Sequence, residues 1–230
     1  LGIGGFISPF SVFSENQHKR FQFQQNSYLI KNACVLSMDE EIGDFKSADV
    51  IIENGKITRL GKNIEASSST ETINAEGGIL IPGLIDCHWH LWTSLLRSMA
   101  GDSAEEGYFK MTARYSRLYS PEDMKLAATY AIAEAVHSGI TCISDYNHNA
   151  RNPQFVQASF DAMVAMGIRG HISYGTYRDM PDSQPTDFKA INELKQLINS
   201  NSKYKDISLG LGSRSVNYNN LEKDWKRARD

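Results

Sequence analysis

No run in this chain approaches the roughly 18 consecutive apolar residues that a membrane-crossing helix requires, which excludes a helical membrane span. Basic surplus is missing too. Twenty-four lysines and arginines stand against 27 acidic residues, for a net charge of −3 and a pI near 6.1. That balance offers no electrostatic footprint for nucleic acid. Cysteine is scarce: Cys34, Cys87 and Cys142 are an odd number, widely spaced and without a CxxC pair. They read as buried free thiols rather than a disulfide framework. At 41% hydrophobic and 22% charged, the remaining composition is that of an ordinary globular chain.

Three segments follow one another. Residues 1–26 open with Leu1 to Ser14, apolar and rich in glycine and serine, then pass into a glutamine-rich linker. The first part reads as the hydrophobic portion of an export signal, which implies a periplasmic or exported protein, with a cytoplasmic one as the alternative. Residues 27–78 read as a small β domain, a partial sandwich of short strands. Tyr28–Ile30, Ala33–Leu36, Val50–Ile52 and Ile57–Leu60 are its strands, and Asn54-Gly55 makes a type I′ hairpin turn. From residue 79 to residue 230 the rhythm becomes strand then helix. Strands are expected at Ile79–Cys87, Ile140–Ser144, Ile168–Tyr174 and Ile207–Leu211. Helices are expected at Pro121–His137, Pro153–Met166, Phe188–Ile198 and Leu221–Arg229. Ser120 is an N-cap, and Gly139 and Gly167 close helices. Alternating elements of this kind make parallel βαβ units with right-handed crossovers.

The chemistry is concentrated at the end of the first of these strands. Ile81-Pro82-Gly83-Leu84-Ile85-Asp86-Cys87-His88-Trp89-His90-Leu91-Trp92 is an apolar run ending in two histidines one residue apart. Positions i and i+2 of a strand share a face, so His88 and His90 project together and form half of a metal site. Cys87 faces away. Asp86 either orients the strand or a ligand, or caps a turn.

The segment Pro82 to Leu91 resembles the Pro-Gly-(Leu/Phe)-Ile-Asp-x-His-x-His-Leu signature of the amidohydrolase superfamily, in its cytosine deaminase and chlorohydrolase-like branch. Ala48 to Ile57 upstream, and Ser120 to Asp123, Ser138 to Thr141 and Asp145 to Asn149 downstream, follow that family's order. The resemblance implies an α/β chain: an incomplete (β/α)8 barrel of about four βα units behind a small β-sandwich segment. A closed barrel takes roughly 250 residues, so the chain is expected to be the amino-terminal half of a longer protein. The catalytic acid and base and the remaining metal ligands are then expected beyond residue 230, with no catalytic residue inside it.

What the resemblance implies for function is a metal-dependent hydrolase of carbon–nitrogen bonds other than peptide bonds. One divalent metal ion, zinc or iron, would be held by His88 and His90, and a hydroxide formed on it would attack a cyclic amidine or heteroaromatic amine. The strand-four end, Gly212 to Ser215, carries no lysine, which favours one metal over two. Trp92, Arg97, Asn147 and His148 are the substrate-binding candidates; Tyr108 and Phe109 weigh more towards core. The alternatives are a dechlorinating hydrolase of the same fold and a non-catalytic binding relative. The partner is a small nitrogen-containing molecule, and the open edges of a half-barrel make a homo-oligomer possible.

Overall fold

A computed structural model describes residues 27–177, 179–181 and 183–213, together with Glu222, Trp225, Lys226 and Arg229. The expected signal segment and linker lie outside the described residues, as does all but those four positions of the expected helix at Leu221–Arg229. The chain divides into two compact units between Pro82 and Gly83. Among the described residues no helix is long and apolar enough to cross a membrane.

The first unit is a mixed five-stranded sheet. Strand β1 (Ser27–Val35) pairs antiparallel with β2 (Phe45–Glu53), which pairs with β3 (Lys56–Gly61); β4 (Glu71–Asn74) and β5 (Ile79–Leu80) run parallel to β1. Two expected strands are thus one. The register of β1 shifts between Ile30 and Ala33, where Asn32 takes a left-handed conformation (φ 58°) and its N–H donates to Asp49 Oδ1 at 3.0 Å. A bulge of this kind lets a strand continue through a break in its alternation. The β2–β3 turn has positive φ at both Asn54 and Gly55, as a type I′ hairpin demands. Ala33, Val35, Ala48 and Val50 form its small core.

The second unit begins with a correction to the expected strand Ile79–Cys87. Ile79 and Leu80 belong to the first sheet, and the parallel strand β6 runs from Leu84 to Trp89. Pro82 has no N–H to give a ladder, so the apolar run is cut there although its hydrophobicity is continuous. Gly83 follows because the neighbouring strand leaves no room: a Cβ built on it would overlap the Thr141 side chain, with Thr141 Cβ only 2.8 Å away. After β6 come a 3-10 segment (Leu91–Leu96), helices α1 (Tyr108–Ser116) and α2 (Pro121–His137), and strand β7 (Ile140–Asn147). Then follow α3 (Pro153–Met166), β8 (Arg169–Tyr174), α4 (Phe188–Ser200) and β9 (Ile207–Leu211).

The four strands form a parallel sheet in the order β6-β7-β8-β9. Helix α2 starts with a reciprocal capping box between Ser120 and Asp123, and α3 ends on Gly167 at φ 69°. One face of the sheet is covered. Ile143 and Ile172 meet Ala128, Ala131, Ile132, Val156, Phe160 and Met163 of α2 and α3 in a single core. The alanines of α2 let the two helices approach closely, and Gly170 on β8 admits the Met163 sulfur, 2.5 Å from where a Cβ would sit. The other face carries Ser144, Tyr146, His171, Ser173 and Ser208, none of them fully buried.

Candidate metal centre

All four strands of the parallel sheet point the same way, so their carboxyl ends gather loops at one edge, the place where such folds bind ligands. His88 stands at that edge on β6, and His90 just past its last residue, Trp89. The strand is irregular between Asp86 and Trp89, where Asp86 Oδ1 accepts the His88 N–H at 3.0 Å. Asp86 is therefore turned back on its own backbone as a turn cap. Trp89 packs against the core, while the His88 and His90 rings lie on the other side, edge to face with centroids 4.8 Å apart. His88 is exposed and His90 half-buried.

The tautomer of His90 follows from its partners. Its Nδ1 lies 2.7 Å from the Tyr146 carbonyl oxygen, which can only accept, so Nδ1 carries the proton and the lone pair sits on Nε2. This is the arrangement by which a backbone carbonyl orients a metal-binding imidazole. His148 comes third. Its Nδ1 lies 3.0 Å from His90 Nδ1 and 3.5 Å from the Trp92 indole nitrogen, a pure donor. Acceptance at His148 Nδ1 agrees with both contacts. A proton there, aimed at the Tyr146 oxygen 3.4 Å away, would oppose the indole N–H.

The remaining candidates are placed differently from one another. Trp92 is buried to 1% exposure beside Tyr119, Met111, Met124 and Phe155, so it packs as core behind His148. Asn147 is fully buried, and its Oδ1 accepts the Asn149 N–H at 3.1 Å. Arg97 points to α2 and makes a bidentate pair with its acidic neighbour Glu134 at 2.6 Å. Tyr108 and Phe109, expected in the core, are exposed on α1 and meet edge to face with centroids 5.5 Å apart.

Sequence reasoning missed Tyr146. Its ring lies within 6 Å of both His88 and His90, centroid to centroid, and covers Gly175 and Gly212, where any Cβ would come within about 3.0 Å of it. Its hydroxyl donates to Ser213 O at 3.2 Å. A strand-alternation reading places it on the face of His88, but only the register shows that two glycines clear its path. Arg151 was missed as well. It binds Asp179 at 2.7 Å and Ser116, and Asp179 also binds Arg117 at 2.9 Å, tying the loops after β7 and β8 to the end of α1.

Asp145, behind the site, faces the helices. Burial pushes its carboxyl up to about 7, opposed by the Leu91 N–H, 3.0 Å from Oδ1, and by Ser159. A pKa raised in the folded state means that the stability it contributes is whole below about pH 4 and is lost as the pH climbs towards 7. Asp145→Asn keeps the acceptor for Leu91. Its stability relative to wild type should rise by up to roughly 4 kcal/mol between pH 4 and pH 8, by the linkage of about 1.4 kcal/mol per unit. Urea melts in chelator at the two pH values would read this, and parallel pH profiles would show the carboxyl to be unperturbed.

Among the described residues no group of three or more His, Cys, Asp or Glu side chains is gathered to hold an ion. Two imidazoles, one with its tautomer set for ligation, fit part of a metal cage.

Comparison with known proteins gives the chain's relatives. The model of the amidohydrolase family matches residues 79–219. A 5′-deoxyadenosine deaminase of Methanosarcina mazei is 34% identical over 148 residues, covering 64% of this chain and 33% of the relative. A 5-methylthioadenosine/S-adenosylhomocysteine deaminase of Caldicellulosiruptor saccharolyticus is 32% identical over 204 residues, covering 85% of this chain and 44% of the relative. Among solved structures, a mutant atrazine chlorohydrolase of Arthrobacter aurescens, in complex with zinc and atraton, superposes with a TM-score of 0.67 at 22% identity. That match covers 84% of this chain and 48% of the other. The chain thus spans about a third to under a half of the length of these curated relatives.

Proposed function

Because this chain belongs to the amidohydrolase family, we propose that it supplies one side of a metal-dependent hydrolase site that deaminates a cyclic amidine or heteroaromatic amine. In this reading its four βα units are part of a (β/α)8 barrel, and its amino-terminal sheet is part of a β-sandwich. Water adds to the ring carbon bearing the amino group, the carbon–nitrogen bond breaks, and ammonia leaves with the transferred protons. A divalent metal, when bound, supplies the Lewis acidity that makes water nucleophilic at neutral pH.

The chain's own residues prepare the site. His88 and His90 offer imidazole nitrogens from one strand end. The Tyr146 carbonyl holds His90 in the Nδ1–H form, and His148, backed by the Trp92 indole, braces the same ring. Tyr146 walls the place where a flat ring would lie. The single observation that carries the proposal is the 2.7 Å contact from His90 Nδ1 to Tyr146 O, since it leaves Nε2 prepared for a metal.

Two measurements test it. Elemental analysis of the native protein should find divalent metal that dialysis against chelator removes. Ammonia release should then be assayed with 5′-deoxyadenosine, 5′-methylthioadenosine, S-adenosylhomocysteine and cytosine, and chloride release with atrazine. Metal-dependent ammonia release from any of these supports deamination. Chloride release alone would replace it with dechlorination, and a protein without metal would sink both.

A further inference from the structure

The open face of the parallel sheet is unusual for the interior of a barrel. Inward positions of such barrels are dominated by bulky branched side chains that fill the centre. Here the register aligns Ser144 of β7, His171 of β8 and Ser208 of β9 in one row, and Tyr146, Ser173 and Gly210 in the next row towards the carboxyl ends. Hydroxyls, an imidazole and a missing side chain take the place of valine and isoleucine. Polar groups enclosed without partners cost roughly 1–3 kcal/mol each, so a row of them calls for a polar occupant.

His171 is the most informative member. Its Nδ1 lies 2.9 Å from Ser208 Oγ, and that hydroxyl donates to the Gly170 carbonyl at 3.4 Å. A Ser208 proton turned to the Gly170 carbonyl leaves Oγ to accept from His171, in the tautomer that has its proton on Nδ1 and its lone pair on Nε2. Gly210 shows which way Nε2 is turned: a Cβ on that residue would lie 2.7 Å from both Nε2 and Cε1. Gly210 sits one row nearer the strand ends than Ser208, in the row of Tyr146. The ring thus leans towards the end of the sheet where Tyr146 meets His88 and His90. Two structural features, the serine clamp and the glycine clearance, serve to present one acceptor atom to the recess beneath the histidine pair.

We propose that His171, held by Ser208 and cleared by Gly210, contacts the substrate at the floor of the pocket, accepting a hydrogen bond at Nε2 from an N–H of a small planar nitrogen heterocycle of the aminopyrimidine kind. This rests on the proposed hydrolase reading, because it is the barrel and its metal that make the recess a pocket.

The test uses the native, metal-loaded protein labelled with 15N-histidine, and two probes: 4-aminopyrimidine and 4-(dimethylamino)pyrimidine, which lacks the N–H donor. Long-range proton–nitrogen correlation should report the Nδ1–H form of His171 in the free protein. Adding 4-aminopyrimidine should shift its Nε2 resonance, and the dimethylamino compound should not. His171→Phe, with metal content unchanged, should bind 4-aminopyrimidine about tenfold more weakly, the scale of one hydrogen bond. His171→Gln, which keeps an acceptor, should recover most of that loss, and neither change should alter binding of the dimethylamino probe. An Nε2–H or cationic ring in the free protein overturns the proposal, as does equal binding by wild type and His171→Phe, or no binding of 4-aminopyrimidine to wild type. Should the protein hold no metal at all, it is the hydrolase reading that fails. Should metal be held and only the His171 signals stay still, the failure belongs to His171 alone.

Discussion

Replacing His90 with alanine in the native protein should remove the bound metal and lower kcat/KM for the deaminated substrate by at least about a thousandfold, the scale set by losing one essential stabilising group. The expectation comes from what His90 does. It is at once a proposed ligand and the ring that Tyr146 O and His148 hold, so alanine takes away the ligand and leaves the second-layer contacts with nothing to orient. His148→Ala supplies the graded comparison. It leaves Nε2 of His90 in place with the Tyr146 carbonyl still on Nδ1, so metal affinity should fall by about 10–100-fold, as when an outer partner is lost. Metal content by elemental analysis, read beside activity, separates the two. Full metal occupancy in His90→Ala would show that the strand-one histidines are not ligands.

Phe160→Ala should destabilise the protein by about 3–5 kcal/mol, the usual cost of emptying an aromatic site in a core. Phe160 on α3 is completely buried in the cluster that joins the parallel sheet to α2, α3 and α4, and its ring meets Tyr204 at 5.8 Å. No water reaches a cavity there without leaving apolar walls unfilled. At roughly 2–4 °C per kcal/mol for a unit of this size, the melting temperature should drop by about 10 °C or more. Phe160→Leu should cost much less, since most of the volume remains. Thermal melts of the three proteins would decide it, and a drop of only a degree or two in Phe160→Ala would mean that α3 does not anchor the core.

Much of the second unit could be read from the chain. Pro121–His137 and Pro153–Met166 announce themselves by a cap before and a glycine after, signals that are local and do not depend on tertiary context. The hairpin at Asn54-Gly55 is equally local. What could not be read depends on neighbours. The run from Ile79 to Cys87 is uniformly apolar, so periodicity has nothing to say about the break at Pro82, and only pairing shows that Ile79 and Leu80 serve another sheet. Helix α1 buries few residues, Met111, Thr112 and Ser116, and so lacks a sequence stripe wide enough to announce it.

The site divides in the same way. His88 and His90 are visible because the motif lies within three residues. Trp92 and Arg97 lie close to the motif along the chain, yet the first is enclosed by Tyr119 and Phe155 and the second is claimed by Glu134. His171 and Tyr146 come into register with Ser208, Gly210 and Gly212 only across strands, which no single-strand pattern contains.

Gly83 and Thr141 interlock across β6 and β7, because the side chain of one occupies the space a side chain on the other would need. That makes the order of substitution matter in any laboratory evolution of this protein. Thr141 can shrink to glycine while Gly83 stays, at the cost of some strand propensity. Gly83→Ala made first would force the strands apart where β6 begins, yet made second it would be tolerated. The pair should thus show epistasis, and stepwise libraries would reach the exchanged arrangement only through Thr141→Gly.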